Sequence, residues 1–468
     1  MIGKMGVYMK EISIEQIAAV VGGRIVSGDP QKKIDNVQYD SRAVGAGSLF
    51  VPIVGENVDA HRFIPQCLEK GAAVFTQNDL PDISQGDVIR VDNTLDALQS
   101  LAGWYRRRFT SLHFIGVTGS VGKTSTKEMI AAALSGGMNV MKTPGNRNSQ
   151  IGMPCTMFDI KDENEAAVIE MGMSMPGEMD RLCDVAYPNM AVMTNIGTAH
   201  IENLGSRENI LKEKFRITKH FTADDVLFIN GDDPLLLTLC TERGFGIVRF
   251  GMSAECDYRA ENITTENFET KFTCISPAGE KEYTIPALGE HSVRNALAAI
   301  AVSERLGLGS EQIQRGLSSY KNAPMRQQIY HLDGFTLIDD SYNASPEATK
   351  VSLDVLRDIS KGKTIAVLAD MLELGEQAEA EHYGVGEHLA KNGISCLLTV
   401  GELSRSTARG AKENGCPLTE SFETNDEAFD RLKQLIEPGC SILIKGSRGM
   451  HTDEIVKKTL EETNGTQA

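Results

Sequence analysis

Apolar positions recur along this chain in two rhythms. Runs at 113–117, 166–171, 190–196 and 226–230 are apolar at almost every position, which suits strands buried on both faces of a parallel sheet, and helical stretches separate them. That alternation predicts a doubly wound central unit. Upstream, short β-like runs at 47–54, 72–76 and 87–91 mix with helical spacing at 14–21 and 63–70, the pattern of a small α/β module. Residues 93–108 then read as a helix: Leu95, Leu98, Leu101, Ala102 and Tyr105 return at helical spacing, and Thr94 is placed to cap them.

Beyond the central strands the rhythm changes. Polar alternation at 271–275 and 281–285, around Pro277, Ala278 and Gly279, predicts a β-hairpin attached to the central unit, with a helix over 296–306 closing the region. From about Arg326, strands at 335–339, 364–369, 395–400 and 441–445 alternate with helical stretches, implying a second, mostly parallel sheet. The chain has 468 residues, and single cores stop growing near ~250 to 300 residues. Three units are therefore expected, at 1–92, 93–325 and 326–468. No fixed-period repeat or low-complexity segment interrupts them, and residues 1–8, which precede the first periodic segment, carry no assigned role.

Charge narrows the function classes. With 47 basic against 64 acidic side chains the net charge is -17, which disfavours a stable hold on nucleic acid or an anionic membrane surface. A phosphate ligand would need a local basic site. The nine cysteines are scattered without a CxxC pair, so neither a disulfide framework nor a zinc cage is implied, and they read as buried thiols of a reducing compartment. No run approaches the ~18 apolar residues of a membrane span. The first residues lack the basic-then-apolar shape of a secretory signal, so the cytoplasm is the expected compartment.

A local basic site is present. Residues 115–126 follow a predicted strand and open a helix running to Leu134, and they contain Thr118-Gly119-Ser120-Val121-Gly122-Lys123-Thr124-Ser125. Gly119 and Gly122 let the backbone curl so that its N–H groups point at phosphate oxygens. Lys123 supplies charge to the β and γ phosphates of a nucleotide, and Thr124 offers a hydroxyl to magnesium. The bland alternative is a glycine turn with a solvent-facing lysine. Val117 stands where the usual loop has its first glycine, and no NKxD-like guanine reader follows, which argues against an ordinary GTPase or kinase.

The form TGxxGKT resembles the loop of the Mur ligases and folylpolyglutamate synthases, and the likeness extends along nearly the whole chain. Asp40-Ser41-Arg42, Gly47-Ser48-Leu49-Phe50 and Asp59-Ala60-His61 resemble the UDP-binding N-terminal module, although the family more often has glycine where Ala60 stands. The segment 146–152, with Asn146 and Asn148, is similar to the one that approaches the substrate carboxylate. Residues 339–346, with Tyr342 and Asn343, and 445–449, with Lys445, Ser447 and Arg448, are close to forms of the member that adds D-alanyl-D-alanine. The resemblance implies an α/β protein of three domains: a UDP-binding module, a central P-loop domain with its hairpin region, and a C-terminal Rossmann-like domain. It implies ATP as phosphoryl donor, two magnesium ions, and UDP-N-acetylmuramoyl-tripeptide and D-alanyl-D-alanine as substrates. A monomer is expected.

The same resemblance assigns further roles. Glu170, at the end of its strand, would share magnesium with Thr124. By itself His200 reads as a structural hydrogen-bonder, because imidazole is uncommon at oxygen-rich magnesium sites; its place in 194–202 resembles the family's ligand for a second ion. By itself Lys214 reads as an exposed helical lysine beside Glu213, whereas the resemblance implies a carbamylated lysine, an anionic oxygen ligand. Asn295 is the expected adenine reader, though it could equally pin its helix. Arg326 resembles the arginine that reaches the nucleotide phosphates, and Asp340 the acid near the ribose. A neighbouring Mur or folylpolyglutamate ligase would share the loop but not the 339–346 and 445–449 forms together. A non-catalytic nucleotide-binding regulator would have no need of Glu170, His200 and Lys214 jointly.

Overall fold

The computed structural model describes residues 9–55, 58–79, 86–240 and 243–465. Residues 1–8 lie outside that set. Three parallel-rich sheets carry the α/β architecture. The N-terminal sheet has five strands in the order Arg24–Ser27, Asp87–Arg90, Ala73–Thr76, Ser48–Phe50 and Asn36–Gln38, of which only the first pair runs antiparallel. Helix Ile14–Val21 enters through a reciprocal cap between Ser13 and Gln16 and stops at Gly22, whose φ of 65° suits glycine.

The central sheet has nine strands. His113–Thr118 lies between Ala166–Glu170 and Met190–Met193, and parallel pairing continues outward on both sides. Every residue of Ala166–Glu170 and Met190–Met193 is buried, as a sheet covered on both faces requires. The expected hairpin, Glu269–Ser276 with Gly279–Ile285, is not a separate appendage. Tyr258–Glu266 pairs with it and with Gly246–Gly251, making it the edge of the central sheet. The C-terminal sheet has six strands, parallel apart from edge strand Gln328–Leu332. That strand and Leu418–Phe422, half-buried edges without a continuous apolar run, were not legible in the sequence pattern.

One local expectation changes. The helix after the first module is Thr94–Arg106, and Asn93 caps it by accepting from the N–H groups of Leu95 and Asp96. The Thr94 hydroxyl instead donates to the Pro52 carbonyl at 2.6 Å, tying the helix to the N-terminal module. Tyr105 of this helix stacks at an angle on Phe109 and Phe158, in an apolar core continuous from Met9 to Leu239. Eight of the nine cysteines are buried as expected, and Cys240 is exposed. Among the described residues no helix is long and apolar enough to cross a membrane.

Candidate active site

In a parallel sheet, ligands collect beyond the carboxyl ends of the strands, where neighbouring connections depart in opposite directions. Here His113–Thr118 runs into the glycine loop, Ala166–Glu170 ends on Glu170, and Met190–Met193 leads into the segment holding His200. Gly119 (φ 151°) and Gly122 (φ 84°) make the turn, and a Cβ on Gly119 would lie 1.9 Å from Thr194 Oγ1. The loop is braced from the next strand. Asn195 Oδ1 accepts from the Val121 N–H at 2.8 Å, and Thr194 Oγ1 donates to the Val121 carbonyl at 2.6 Å. Thr194 and Asn195 are scaffold residues that reading the loop alone missed.

Lys123 is half-buried and folds over its own loop, donating to the carbonyls of Gly119 at 2.7 Å and Ser120 at 3.2 Å. Burial pushes its ammonium down to about 8, with Glu170 opposing and Arg326 reinforcing the shift. A cation held in this way gains from an arriving polyphosphate.

The donors for a magnesium ion pass a direct test of fit. Thr124 Oγ1, Ser120 Oγ and Glu170 Oε2 are buried without a hydrogen-bond partner, an arrangement that is costly unless something charged meets those oxygens. Glu170 Oε1 accepts from Asn148 Nδ2 at 2.7 Å, which orients the carboxylate. Lys127, another residue the sequence reading did not single out, is fully buried and stands 3.7 Å from Glu170 Oε2. It also donates to the carbonyls of Thr143 and Gly145, joining the loop helix to the segment bearing Asn146 and Asn148. Among the described residues no three His, Cys, Asp or Glu side chains form a metal cluster.

Lys214 is fully buried, which removes the exposed-lysine alternative. Among the described residues its ammonium has no carboxylate within ion-pair distance. Burial drives its pKa well below the ordinary value, and the charge of Lys123 adds to the effect against Glu213. His200 Nδ1 lies 2.7 Å from Glu373 Oε2, and this neighbour holds the Glu373 carboxyl below its ordinary value.

A cavity of about 670 Å³ opens over the loop between the central and C-terminal units. It brings together Ser120 through Ser125, His200, Asn295, Arg326, Asp340, Asn343, Lys445, Ser447 and Arg448. Its walls do not include Gly119, Glu170, Lys214, Asn146, Asn148 or Tyr342, nor Ser41 and Arg42. Asn295 Oδ1 accepts from Thr126 Oγ1 at 2.8 Å, leaving its amide N–H groups as donors. Arg326 sits between Met325 (φ 61°) and Gln327 (φ 47°) and stacks on Tyr342 with its guanidinium 4.2 Å from the ring centre. Two left-handed residues flanking one arginine mark a tightly determined junction.

Several expected ligand residues hold one another. Asp340 Oδ2 accepts from Lys445 Nζ at 2.5 Å and from Ser352 Oγ at 2.6 Å, while Lys445 also donates to the Asn343 carbonyl. Ser447 Oγ accepts from the Leu372 N–H, and the Arg448 N–H donates to Asn343 Oδ1. In the N-terminal module Arg42 is exposed and paired to Asp40 at 2.8 Å, and the Ser41 carbonyl accepts from Lys70. Asn146 is exposed.

Comparison with known proteins places this arrangement. Residues 33–106 match a family model described as "Mur ligase family, catalytic domain", 117–303 the "Mur ligase middle domain", and 325–448 "Mur ligase, glutamate ligase domain". The UDP-N-acetylmuramoyl-tripeptide--D-alanyl-D-alanine ligase of Bacillus subtilis (strain 168) is 37% identical over 457 residues, covering 96% of this chain and 98% of that protein. The protein of the same name from Escherichia coli (strain K12) is 34% identical over 465 residues, covering 98% and 100%. A crystal structure of MurF from Acinetobacter baumannii superposes with a TM-score of 0.90 at 29% identity, covering 97% and 99%. That of MurF ligase from Thermotoga maritima in complex with ADP does so at 0.82 and 28%, covering 92% and 98%. With full-length relatives above 30% identity and all three units matched, the chain belongs to the Mur ligase family.

Proposed function

We propose that the chain is an ATP-dependent, ADP-forming ligase that joins D-alanyl-D-alanine to UDP-N-acetylmuramoyl-tripeptide, acting as a cytoplasmic monomer in peptidoglycan precursor synthesis. The observation that carries this reading is the near end-to-end likeness to relatives named for that reaction. Residues 1–92 hold the UDP end of the nucleotide substrate, 93–325 the ATP, and 326–468 the incoming dipeptide.

A carboxylate is a poor acyl donor, so it first takes the γ-phosphoryl group of ATP, and the dipeptide amine then displaces phosphate from the acyl phosphate. Positioning and charge stabilisation do most of this work. The 119–125 backbone orients the phosphates, and Lys123 leaves its own loop carbonyls to meet the β and γ oxygens. Thr124, Glu170, His200 and a carbamylated Lys214 would hold two magnesium ions, which would supply charge neutralisation at the transferring group. Asn148 fixes Glu170, and Asn146 with Asn148 guides the tripeptide carboxylate toward the γ-phosphate. Asn295 donates to the adenine edge, Arg326 reaches the phosphates from the junction, and Asp340 lies toward the ribose. Tyr342, Asn343, Lys445, Ser447 and Arg448 form the dipeptide side, the Asp340–Lys445 pair acting as its rigid base.

Phosphate release gives the test. The purified protein should liberate phosphate from ATP at a sustained rate only when both UDP-N-acetylmuramoyl-tripeptide and D-alanyl-D-alanine are supplied. Equal release with a different amine and no dipeptide would move the chain to another branch of the family. The N-terminal assignment makes its own prediction. Replacing Ser41 and Arg42 together by alanine should raise KM for the UDP substrate by about tenfold, the loss of ~1.4 kcal/mol of binding, with KM for ATP and dipeptide unchanged. A parallel rise for all three substrates would indicate damaged folding and remove the assignment.

A further inference from the structure

Two carboxylates of the C-terminal unit grip one short loop of the central unit. Glu347, in the first turn of helix Pro346–Ile359, accepts from the Thr198 N–H at 3.1 Å and from Thr198 Oγ1 at 3.3 Å. A Cβ on Gly197 would stand 2.8 Å from Glu347 Oε1, so the approach depends on glycine at that position. Two residues further along the loop, His200 meets Glu373 at 2.7 Å. Both His200 and Glu373 have φ of 64°, a backbone state that side-chain-bearing residues keep only where their surroundings impose it.

This pair of contacts differs from the other bonds between the units. Phe268, at the turn after Tyr258–Glu266, packs on His331 with ring centroids 4.3 Å apart and uses none of the 197–200 loop. That contact can help docking but cannot orient His200. A carboxylate on one imidazole nitrogen selects which nitrogen faces a cation and holds the ring plane, and such partners typically change metal affinity 10–100-fold. With Glu373 at Nδ1, Nε2 is the nitrogen left for a cation.

We propose that Glu347 and Glu373 are positioning residues that act through His200, so that a divalent cation beside the ATP phosphates is fully held only when the C-terminal unit is docked. The consequence is an order of events: the unit that brings the amine also completes the cation site for phosphoryl transfer. This inference rests on His200 being a cation ligand, and the experiment separates the two.

Mn2+ binding to the full chain with a non-hydrolysable ATP analogue, followed by the electron paramagnetic resonance of free Mn2+, gives a readout independent of turnover. Glu347→Ala and Glu373→Gln are each expected to raise the Kd of the weaker Mn2+ site by ~10-fold or more. Glu347→Gln should bind as wild type, because an amide oxygen accepts the same two hydrogen bonds from Thr198. Glu373→Gln gains no such rescue, since a neutral amide does not raise the basicity of the imidazole as the carboxylate does. Phe268→Ala should leave Mn2+ binding unchanged, and His200→Ala should lose the weaker site. Wild-type binding by His200→Ala would defeat the ligand assignment and the inference with it. If His200→Ala loses the site while Glu347→Ala and Glu373→Gln keep it, the inference alone is overturned. An equal loss in Phe268→Ala would also overturn it, because docking in general would then be the cause.

Discussion

Lys123→Ala is expected to lower turnover by ~10²–10³-fold while leaving the thermal transition close to that of the wild type. The side chain donates only to carbonyls of its own loop, so its removal breaks no contact between units. In the reaction it would meet the oxygens on which charge accumulates, and removing one such preorganised group costs ~10²–10³-fold in related chemistry. Steady-state phosphate release and a melting curve on the same preparation check both halves. Turnover within tenfold of wild type would exclude Lys123 from the transition state. The free side chain should also reveal itself by proton uptake. Its folded value of about 8 lies below its ordinary 10.5, so from about pH 8 upward part of the population is neutral, and polyphosphate binding restores the proton. Titration calorimetry in buffers of different ionisation enthalpy measures that uptake. The sign for stability follows from the same shift: the free protein gains stability as pH rises from about 8 to 10.5, where the unfolded chain alone still holds the proton.

Lys214→Ala should be nearly inactive, with a loss on the order of 10²–10³-fold, and high concentrations of acetate should return part of the activity. An exposed lysine pair would contribute only ~0–1 kcal/mol and could be removed almost silently. Lys214 is instead fully buried, and among the described residues no carboxylate pairs with its ammonium. Burying a bare charge costs several kcal/mol, and burial together with the charge of Lys123 favours the neutral form of this amine. A neutral amine is the form that adds carbon dioxide. The resulting carbamate would carry anionic oxygen, which suits the hard cation that the Thr124 and Glu170 oxygens lacking hydrogen bonds also fit. Acetate would place a similar oxygen in the vacated space. The modification itself is tested by intact mass under non-acidic conditions, where the wild type should carry the mass of one carbon dioxide on Lys214. Wild-type-like activity in the variant would sink the assignment, and an unmodified lysine in active enzyme would remove the carbamate.

The parts of this protein written in short stretches of chain were legible before any coordinates. Unbroken apolarity at 166–169 and 190–193 announces strands covered on both faces, and the spacing over 119–124 announces a phosphate loop, because backbone curvature and strand burial depend on adjacent residues. Half-buried edge strands such as Gln328–Leu332 and Leu418–Phe422 lack that signature. The cap at Asn93 went unread because Thr94 is an equally good capping residue, and only the Pro52 carbonyl, from the N-terminal module, draws the Thr94 hydroxyl away. Tertiary structure alone decided that Lys214 is buried, since its helix is charged on every turn and carries no apolar stripe to predict a buried side. It alone decided that Asp340 and Lys445 hold each other, and that Glu347 and Glu373 reach the loop of His200. These are meetings of residues far apart in sequence, and which polar partners face one another there depends on how separately formed sheets and helices dock, which no local pattern encodes.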